Sequence, residues 1–331
     1  MTLDLFITHY KEPWEIVEPG IRMLAAQRGI NWNEIRVTMV HDGTACFPAE
    51  KFAGLPFAVR QESIPHGGIA AARNWCIDHS DATWIKWNDC DDQFFNPYAL
   101  KDLMDHMPAD RFDLIWFELL VEDWMDRSKP LKTFLRTERD PIFVHNKLFR
   151  RQFLLDHQIR FNEELIWCED SAFMSIVEME IDHQRIGKVS SKLAPIYLYI
   201  CRDGSLCNRP EIFFANLQSF FVRHCYVADA FLERGRMDEY YSMCVRVMGD
   251  SYYTLCKAPG ITEDKSDFER RVWDWFDGHR EAFWACRPEM FRMVLAAVNR
   301  ERNDGGVITE EEFVGWIMEH ERGKNNGDKH E

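Results

Sequence analysis

Apolar and polar positions alternate along residues 2–206 in a pattern that predicts strands and helices in turn. Residues 3–7 and 35–40 are short apolar runs typical of buried strands, and each is followed by a polar turn. A helical pattern over 14–27 separates them, and Gly67-Gly68 opens another helix. Because this order has the spacing of βαβ units, we expect an α/β domain.

The rest of this region continues the alternation less regularly. We expect helices over 97–107, 144–157 and 170–180 and strands over 112–122 and 194–200. The polar segment 123–137 is expected to be a flexible crossing loop.

From Pro210 onward the periodicity is helical and rich in Phe, Tyr, Trp and Met. Aromatic stripes at helical spacing usually face inward, so we interpret these residues as a core rather than a binding platform. The expected organisation is a first domain over 1–206, a helical domain over 207–322 and a disordered polar tail over 323–331.

Composition and charge limit the classes of function. The 331 residues include 40 basic and 55 acidic ones, and the formal charge of −15 disfavours a nucleic-acid partner. No apolar run approaches the roughly 18 residues of a membrane span, and a core strand follows Met1 too closely for a signal peptide. These features favour a cytoplasmic protein. The ten cysteines lack metal or disulfide spacing, which favours reduced thiols.

An acidic cluster ends the apolar run 84–88. Asp89, Asp91 and Asp92 repel one another unless a cation, a basic partner or solvent offsets their charge. Oxygen ligands in this D-x-D spacing suit Mg²⁺ or Mn²⁺. The alternative is a solvated acidic turn.

Four further motifs accompany this cluster. They are the first-strand turn Thr8 to Glu12, Asp42-Gly43-Thr44, Ala72-Arg73-Asn74, and the segment 160–164 followed by Cys168-Glu169-Asp170. In this order they resemble the nucleotide-sugar domain of family 2 glycosyltransferases of the GT-A fold, over roughly residues 2–206. The resemblance implies a Rossmann-like GT-A domain and an inverting, hexosyltransferase-like enzyme that uses a UDP-sugar.

The resemblance also suggests roles on the donor side. Asp91 is expected to be the strongest metal ligand, Asp89 to contact the ribose or a metal-bound water, and Asp92 to be a further candidate. Asp42 would accept the uracil N3 proton, or else only form the turn before Gly43.

Thr8 and Glu12 would line the base and ribose pocket, although Thr8 can instead cap the following turn.

Two arginines are candidates for the diphosphate. Arg73 lies at the start of a helix and is expected to contact the diphosphate, the alternative being a salt bridge with the acidic cluster. Asn74 would order the acidic turn. Many family members have a histidine where this chain has Arg202, so Arg202 would replace it at the diphosphate, and His145 is an alternative third metal ligand.

Asp170 is the expected general base for the acceptor hydroxyl, with Glu169 beside it in acceptor binding. The alternative role of Asp170 is to cap the helix that follows. The acceptor would be a glycan or another hydroxyl compound.

Two rival functions remain open. A GT-A-like nucleotidyltransferase would need a Gly-rich, basic turn after the first strand, which Thr8 to Glu12 does not supply. A non-catalytic nucleotide-sugar-binding scaffold is disfavoured by the presence of both the acidic cluster and Glu169-Asp170.

Residues 301–312 resemble a degenerate EF-hand loop with Gly306 as its turn glycine and Glu312 as its bidentate ligand. Glu301 and Gly305 are poor matches to the first and fifth ligand positions. We therefore expect a glycine turn followed by a capping box of Thr309 and Glu312.

Overall fold

Residues 1–209 and 210–331 form two separate units in the computed structural model. The structure describes residues 1–107, 111–123, 131–191, 194–201, 213–302 and 306–327. The division falls three residues after the boundary expected from the sequence.

The first unit is organised by a seven-stranded mixed sheet. Its parallel part runs in the spatial order β4 (Trp84–Asp89), β1 (Leu3–His9), β2 (Ile35–Asp42), β3 (Val59–Ile64). Every residue of β1 is buried, its polar residues Asp4, Thr8 and His9 included, as expected for a parallel strand covered on both faces. Beyond β4 follow β9 (Lys147–Arg150), β6 (Leu114–Phe117) and β10 (Ile186–Val189).

A second sheet has the order β5 (Gln93–Phe94), β11 (Tyr197–Cys201), β7 (Leu119–Asp123), β8 (Lys132–Arg136). The chain leaves the first sheet after β6 and enters the second with β7. The single strand predicted over 112–122 was therefore wrong, because the two halves pair with different sheets. Part of the expected crossing loop is the strand β8, which pairs with β7.

Within the described residues of this unit, the α-helices are α1 (Trp14–Ala25), α2 (Gly68–His79), α3 (Ala99–Asp105), α4 (Arg151–Asp156) and α5 (Glu169–Glu180). The helix predicted over 144–157 was half wrong, since only α4 is helical there. Residues Lys147–Arg150 instead form β9, antiparallel to both β4 and β6. Sheet pairing overrides a local apolar spacing that suits a helix equally well.

In the second unit, the described secondary-structure elements are all helices. Its helices are α6 (Phe213–Glu233), α7 (Met237–Tyr252), α8 (Ser266–Ala285), α9 (Pro288–Glu301) and α10 (Glu310–Gly327). A π-helical turn, Tyr253–Lys257, follows α7. The predicted aromatic core is confirmed by buried Tyr253, Phe268, Phe276, Phe283 and Phe313. The helix α10 extends five residues into the segment expected to be a tail.

The glycine turn before α10 has the predicted capping box. The Thr309 amide donates to Glu312 Oε2 at 3.3 Å, and the Glu312 amide donates to Thr309 Oγ1 at 3.2 Å. Glu312 also pairs with Lys257, and Glu301 pairs with Arg246. Both carboxylates have protein partners, as expected for a capped turn. Residues 303–305 lie outside the described part of the chain.

Candidate active site at the carboxyl edge of the central sheet

The parallel strands β1, β2 and β4 end at one edge of the sheet, where open α/β sheets bind their ligands. Thr8 lies opposite Asp89 in the register of β1 and β4. The Thr8 hydroxyl is 3.4 Å from both Asp89 Oδ1 and the Asn88 carbonyl oxygen. Thr8 therefore joins two strand ends in this structure, and this contact replaces the turn-capping role.

The three carboxylates of the acidic cluster face different surroundings. Asp89 and Asp91 are half-buried at the turn after β4. Asp92 is buried and accepts hydrogen bonds from the Tyr197 hydroxyl at 3.1 Å and the Ile200 amide at 3.0 Å. Burial, together with the charges of Asp91 and Asp89, raises the pKa of Asp92. The Asp92 side chain thus fastens the turn to β11 in the second sheet.

Arg73 is the centre of the site. This α2 side chain is buried, and its guanidinium donates to Asp89 Oδ1 at 3.1 Å, to Glu169 Oε1 at 2.9 Å and to Asp170 Oδ1. Burial disfavours the charged guanidinium, but the carboxylates of Asp170, Asp89 and Glu169 outweigh it and raise the pKa of Arg73. A salt bridge between Arg73 and the acidic cluster is one of the two alternatives drawn from the sequence, and the structure has this salt bridge, to Asp89. Through Glu169 and Asp170, Arg73 also joins the acidic turn to α5.

Glu169 and Asp170 occupy the first turn of α5. The cap position is Cys168, so Asp170 is not the helix N-cap, and its Oδ2 instead accepts from the Val144 amide at 3.2 Å. Burial and the neighbouring Asp170 raise the pKa of Glu169 to about 8. Burial also raises the pKa of Asp170, although Arg73 opposes this. A carboxylate whose pKa is moved towards neutrality is suited to proton transfer.

Asp42 holds the start of α2. Its Oδ1 accepts from the Gly67 amide at 2.8 Å, and its Oδ2 from the Gly68 amide at 3.0 Å and from His66 Nδ1 at 2.8 Å. Gly43 has a φ of 67°, and a side chain there would collide with His66. Asp42 therefore fixes the loop beside the strand end, whatever further contact it makes with a base.

Two other predicted residues have structural partners. Glu12 Oε2 accepts from the Tyr10 amide at 2.9 Å and lies 3.4 Å from Cys90 Sγ, which links the turn after β1 to the acidic turn. Asn74 donates to the Phe161 carbonyl at 2.9 Å and to Glu163 at 2.8 Å. The prediction that Asn74 orders the acidic turn was therefore wrong. Its amide points towards the segment before α5 and orders that segment instead.

Lys86 was not identified from the sequence, although a lysine inside an apolar strand is a signal. Its fully buried ammonium donates to Asn88 Oδ1 at 2.6 Å and to the His145 and Trp87 carbonyls at 2.8 and 3.0 Å. Burial lowers the pKa of Lys86 to about 7, although Asp92 and Asp89 favour its charge. It orders the strand that carries the acidic turn.

A divalent metal fits part of the predicted ligand set. Asp89 and Asp91 are half-buried carboxylates on one turn, and Mg²⁺ or Mn²⁺ commonly takes only one or two protein carboxylates. Asp92 points into the protein and does not suit this role. Among the residues that the structure describes, no three His, Cys, Asp or Glu side chains form a metal cage. Substrate phosphates and water would have to complete the coordination.

Among the described residues, His145 does not form a metal cage with the acidic cluster. His145 is buried and stacks on Tyr199 with ring centroids 4.5 Å apart, and burial lowers its pKa. Arg202 lies outside the described residues, as does part of the crossing segment, residues 124–130. Across the described helices, none is both long and apolar enough to span a membrane.

Comparisons with known proteins bear on the family and the fold of the chain. A family profile described as "Glycosyl transferase family 2" matches residues 4–172. The crystal structure of S. aureus TarS is similar with a TM-score of 0.57 and 17% identity, over 91% of this chain and 54% of TarS. The chain thus spans about half the length of that structure. At this identity the likeness concerns the fold.

Two further structures are more distant. TarS residues 1–349 in complex with UDP-GlcNAc gives a TM-score of 0.48 at 15% identity, over 91% of this chain and 82% of that one. Mannosyltransferase PcManGT from Pyrobaculum calidifontis in complex with GDP-Man and Mn²⁺ gives 0.44 at 13% identity, over 90% and 75%. A search of curated protein sequences found no match.

Proposed function

Because the chain belongs to glycosyl transferase family 2, we propose that it transfers a sugar from a nucleoside diphosphate sugar to an acceptor hydroxyl with inversion at the anomeric carbon. The observation that carries this proposal is the Arg73 cluster, in which one buried guanidinium joins Asp89 at the end of β4 to Glu169 and Asp170 at the start of α5. We infer that the donor side and the acceptor side of the reaction meet there.

Asp170 is the proposed general base. Its carboxylate takes the proton of the acceptor hydroxyl as the oxygen attacks the anomeric carbon and the bond to the diphosphate breaks. The elevated pKa of Asp170 improves it as a proton acceptor, while the Arg73 guanidinium keeps the ionised form accessible. Glu169 is proposed to contact the acceptor from the same helical turn.

The donor is proposed to bind along the carboxyl ends of β1, β2 and β4. Thr8, Glu12 and Asp42 would line the pocket for the base and ribose, and the base is proposed to be uracil. A divalent metal held by Asp89 and Asp91 would supply positive charge to the leaving diphosphate. Asp92 and Tyr197 keep that turn in place.

Two other functions fit less well. A nucleotidyltransferase must hold a triphosphate, and residues 10–12 after β1 include neither a glycine nor any basic residue besides Lys11. A binding scaffold needs no proton acceptor, yet the pKa of Asp170 is raised. Asp170 and Asp89 also accept hydrogen bonds from the same Arg73 guanidinium.

Calorimetry with UDP and GDP, in Mn²⁺ and in EDTA, tests the donor and the metal. We expect UDP to bind better than GDP, to need the metal, and to bind much more weakly to Asp91→Ala. The control Asp105→Ala removes an exposed carboxylate that pairs with Lys101 on α3, and it should bind UDP normally. Equal UDP affinity in EDTA would refute the metal role.

Turnover separates an enzyme from a scaffold. Wild-type protein should slowly hydrolyse at least one member of a UDP-sugar panel, because water can replace the acceptor at Asp170. Tight UDP-sugar binding without any hydrolysis or transfer would favour the scaffold.

A further inference from the structure

Two buried histidines lie side by side beneath the proposed donor pocket. His9 ends β1 and His41 is its partner in the register with β2, and they are 5% and 0% exposed. Their Nδ1 atoms are 2.9 Å apart, and the rings are nearly perpendicular at 77°. Two nitrogens at this distance must have a proton between them.

The outer nitrogens of both rings face acceptors. His9 Nε2 lies 2.9 Å from the carbonyl oxygen of Glu12, which only accepts. His41 Nε2 lies 3.0 Å from Gln61 Oε1. The Gln61 amide cannot be turned round, because its Oε1 accepts from the Phe47 amide at 2.9 Å and its Nε2 donates to the Phe47 carbonyl at 3.0 Å. Both Nε2 atoms therefore carry hydrogen.

Counting protons then gives the charge. Two neutral imidazoles have one N–H each, and both are used at the Nε2 positions. The contact between the Nδ1 atoms needs a third. We propose that His9 and His41 share a third proton and, as a singly charged pair, position the loops that follow β1 and β2, residues 10–12 and 43–47, beside the proposed donor pocket.

The two rings do not hold the shared proton equally. Burial, and secondarily the charge of His9, lowers the pKa of His41 to about 4 despite the Gln61 hydrogen bond, so His41 is the neutral partner. His9 then donates from Nδ1 to His41 and from Nε2 to Glu12. The Thr44 hydroxyl lies 3.3 Å from His9 Nδ1, which brings the second loop to the same proton.

The other charged groups near the pair have partners of their own. The Glu12 carboxylate accepts from the Tyr10 amide and lies near Cys90, whose thiol has a pKa raised by burial. The Asp42 carboxylate binds the start of α2 and His66. Lys11 lies over the ring of Tyr10. The groups packed on the histidines from the 43–47 loop and β3 are Thr44, Phe47 and Gln61, which do not titrate.

The effect of the histidine pair on donor binding rests on the proposed function. Lys11 has a φ of 62°, an unfavourable conformation for a side chain, and the bond from His9 to the Glu12 carbonyl holds the same turn. When the third proton leaves, the Nδ1 atoms repel each other and the loops lose this fixed spacing. The stabilisation is thus present while the third proton is bound and is lost when that proton leaves at higher pH. One linked proton changes affinity by up to about tenfold per pH unit.

Nitrogen-15 NMR of the ligand-free protein reads the charge directly. At pH 6 we expect one ring with both nitrogens protonated and a neighbouring neutral ring with its proton on Nε2, and His41→Asn should remove the signals of the second. Two neutral rings throughout pH 6–8 would overturn the proposal, whether or not the protein binds a nucleotide.

A second experiment compares UDP binding with Mg²⁺ from pH 6 to 8.5 in wild type and His41→Asn. The amide introduced by His41→Asn can donate to a neutral His9, so this variant needs no third proton. The titration of UDP itself affects both proteins equally. Wild-type affinity should therefore fall with pH relative to the variant, and parallel curves would overturn the role in positioning. Absence of UDP binding by both proteins at every pH would instead contradict the proposed function, while the NMR result still decides the charge of the pair.

Discussion

Replacing Arg73 by lysine tests the central feature of the site. The substitution keeps a positive charge but replaces a planar fork, which reaches carboxylates on β4 and α5 together, by one ammonium on a shorter stem. At least one charge-assisted hydrogen bond must be lost. Such a bond contributes about 1.5–3 kcal/mol when buried, and in a unit of this size that lowers Tm by roughly 3–12 °C.

Arg36→Lys is a matched control for stability. Arg36 also uses two guanidinium nitrogens, but both donate to the one buried carboxylate of Asp4, at 2.7 and 2.6 Å, at the amino ends of β1 and β2. Both variants should lose similar amounts of thermal stability.

Activity should separate the two variants. We expect Arg73→Lys to reduce the rate of sugar transfer or UDP-sugar hydrolysis by at least roughly 10²-fold, since a 1 Å misplacement of a catalytic group has effects of that size. Arg36→Lys should keep nearly the wild-type rate. Equal activity of the two variants would refute a role for Arg73 beyond holding the fold together.

Three further predictions concern single carboxylates. Asp170→Asn should cut turnover by roughly 10² to 10⁴-fold with nearly unchanged UDP affinity, because it removes only the basic oxygen; wild-type turnover would remove Asp170 from the mechanism. Glu169 prefers its protonated form when folded, with a pKa of about 8, so its contribution to stability is full below the ordinary glutamate pKa and declines up to about pH 8. The Tm of wild type should therefore fall more between pH 5 and 8 than that of Glu169→Gln, and parallel profiles would contradict this. Calcium should raise Tm no more than magnesium does, as expected for the capped turn at Thr309; a calcium-selective rise that Glu312→Gln abolishes would show a calcium site instead.

The positions of the candidate site residues along the strands could be predicted from local sequence. The directions in which their side chains point could not. Asp89, Asp42 and Thr8 were found because each stands where an apolar run ends, and the ends of parallel strands meet at one edge. Asp91 and Asp92 are adjacent in the chain and look equivalent there. What turns Asp92 inward is β11, more than 100 residues later, through Tyr197 and the Ile200 amide.

The same limit explains the error over residues 144–157. Apolar residues at Val144, Leu148 and Phe149 fit one face of a helix, and no proline or glycine interrupts them. In the sheet, β9 lies between β4 and β6 and pairs with both. Both of these neighbouring strands come from other parts of the chain. The local spacing of apolar residues does not show which distant strands a segment will pair with. The histidine pair was missed for a related reason, since only the parallel register places His9 opposite His41.

The charges around Arg73 also support the proposed divalent cation at the donor site. One guanidinium faces Asp89, Glu169 and Asp170, and the protonation of Glu169 at neutral pH relieves part of the excess. Asp91 adds another negative charge at the same turn. A diphosphate brings at least two more, and Arg73 is already engaged by carboxylates. Binding the donor without added positive charge would therefore set like charges against each other in a partly buried site. A divalent cation on the turn removes this conflict, so affinity for UDP should rise with Mn²⁺ far more than affinity for uridine, which has no phosphate; an equal rise for both would show that the cation acts elsewhere.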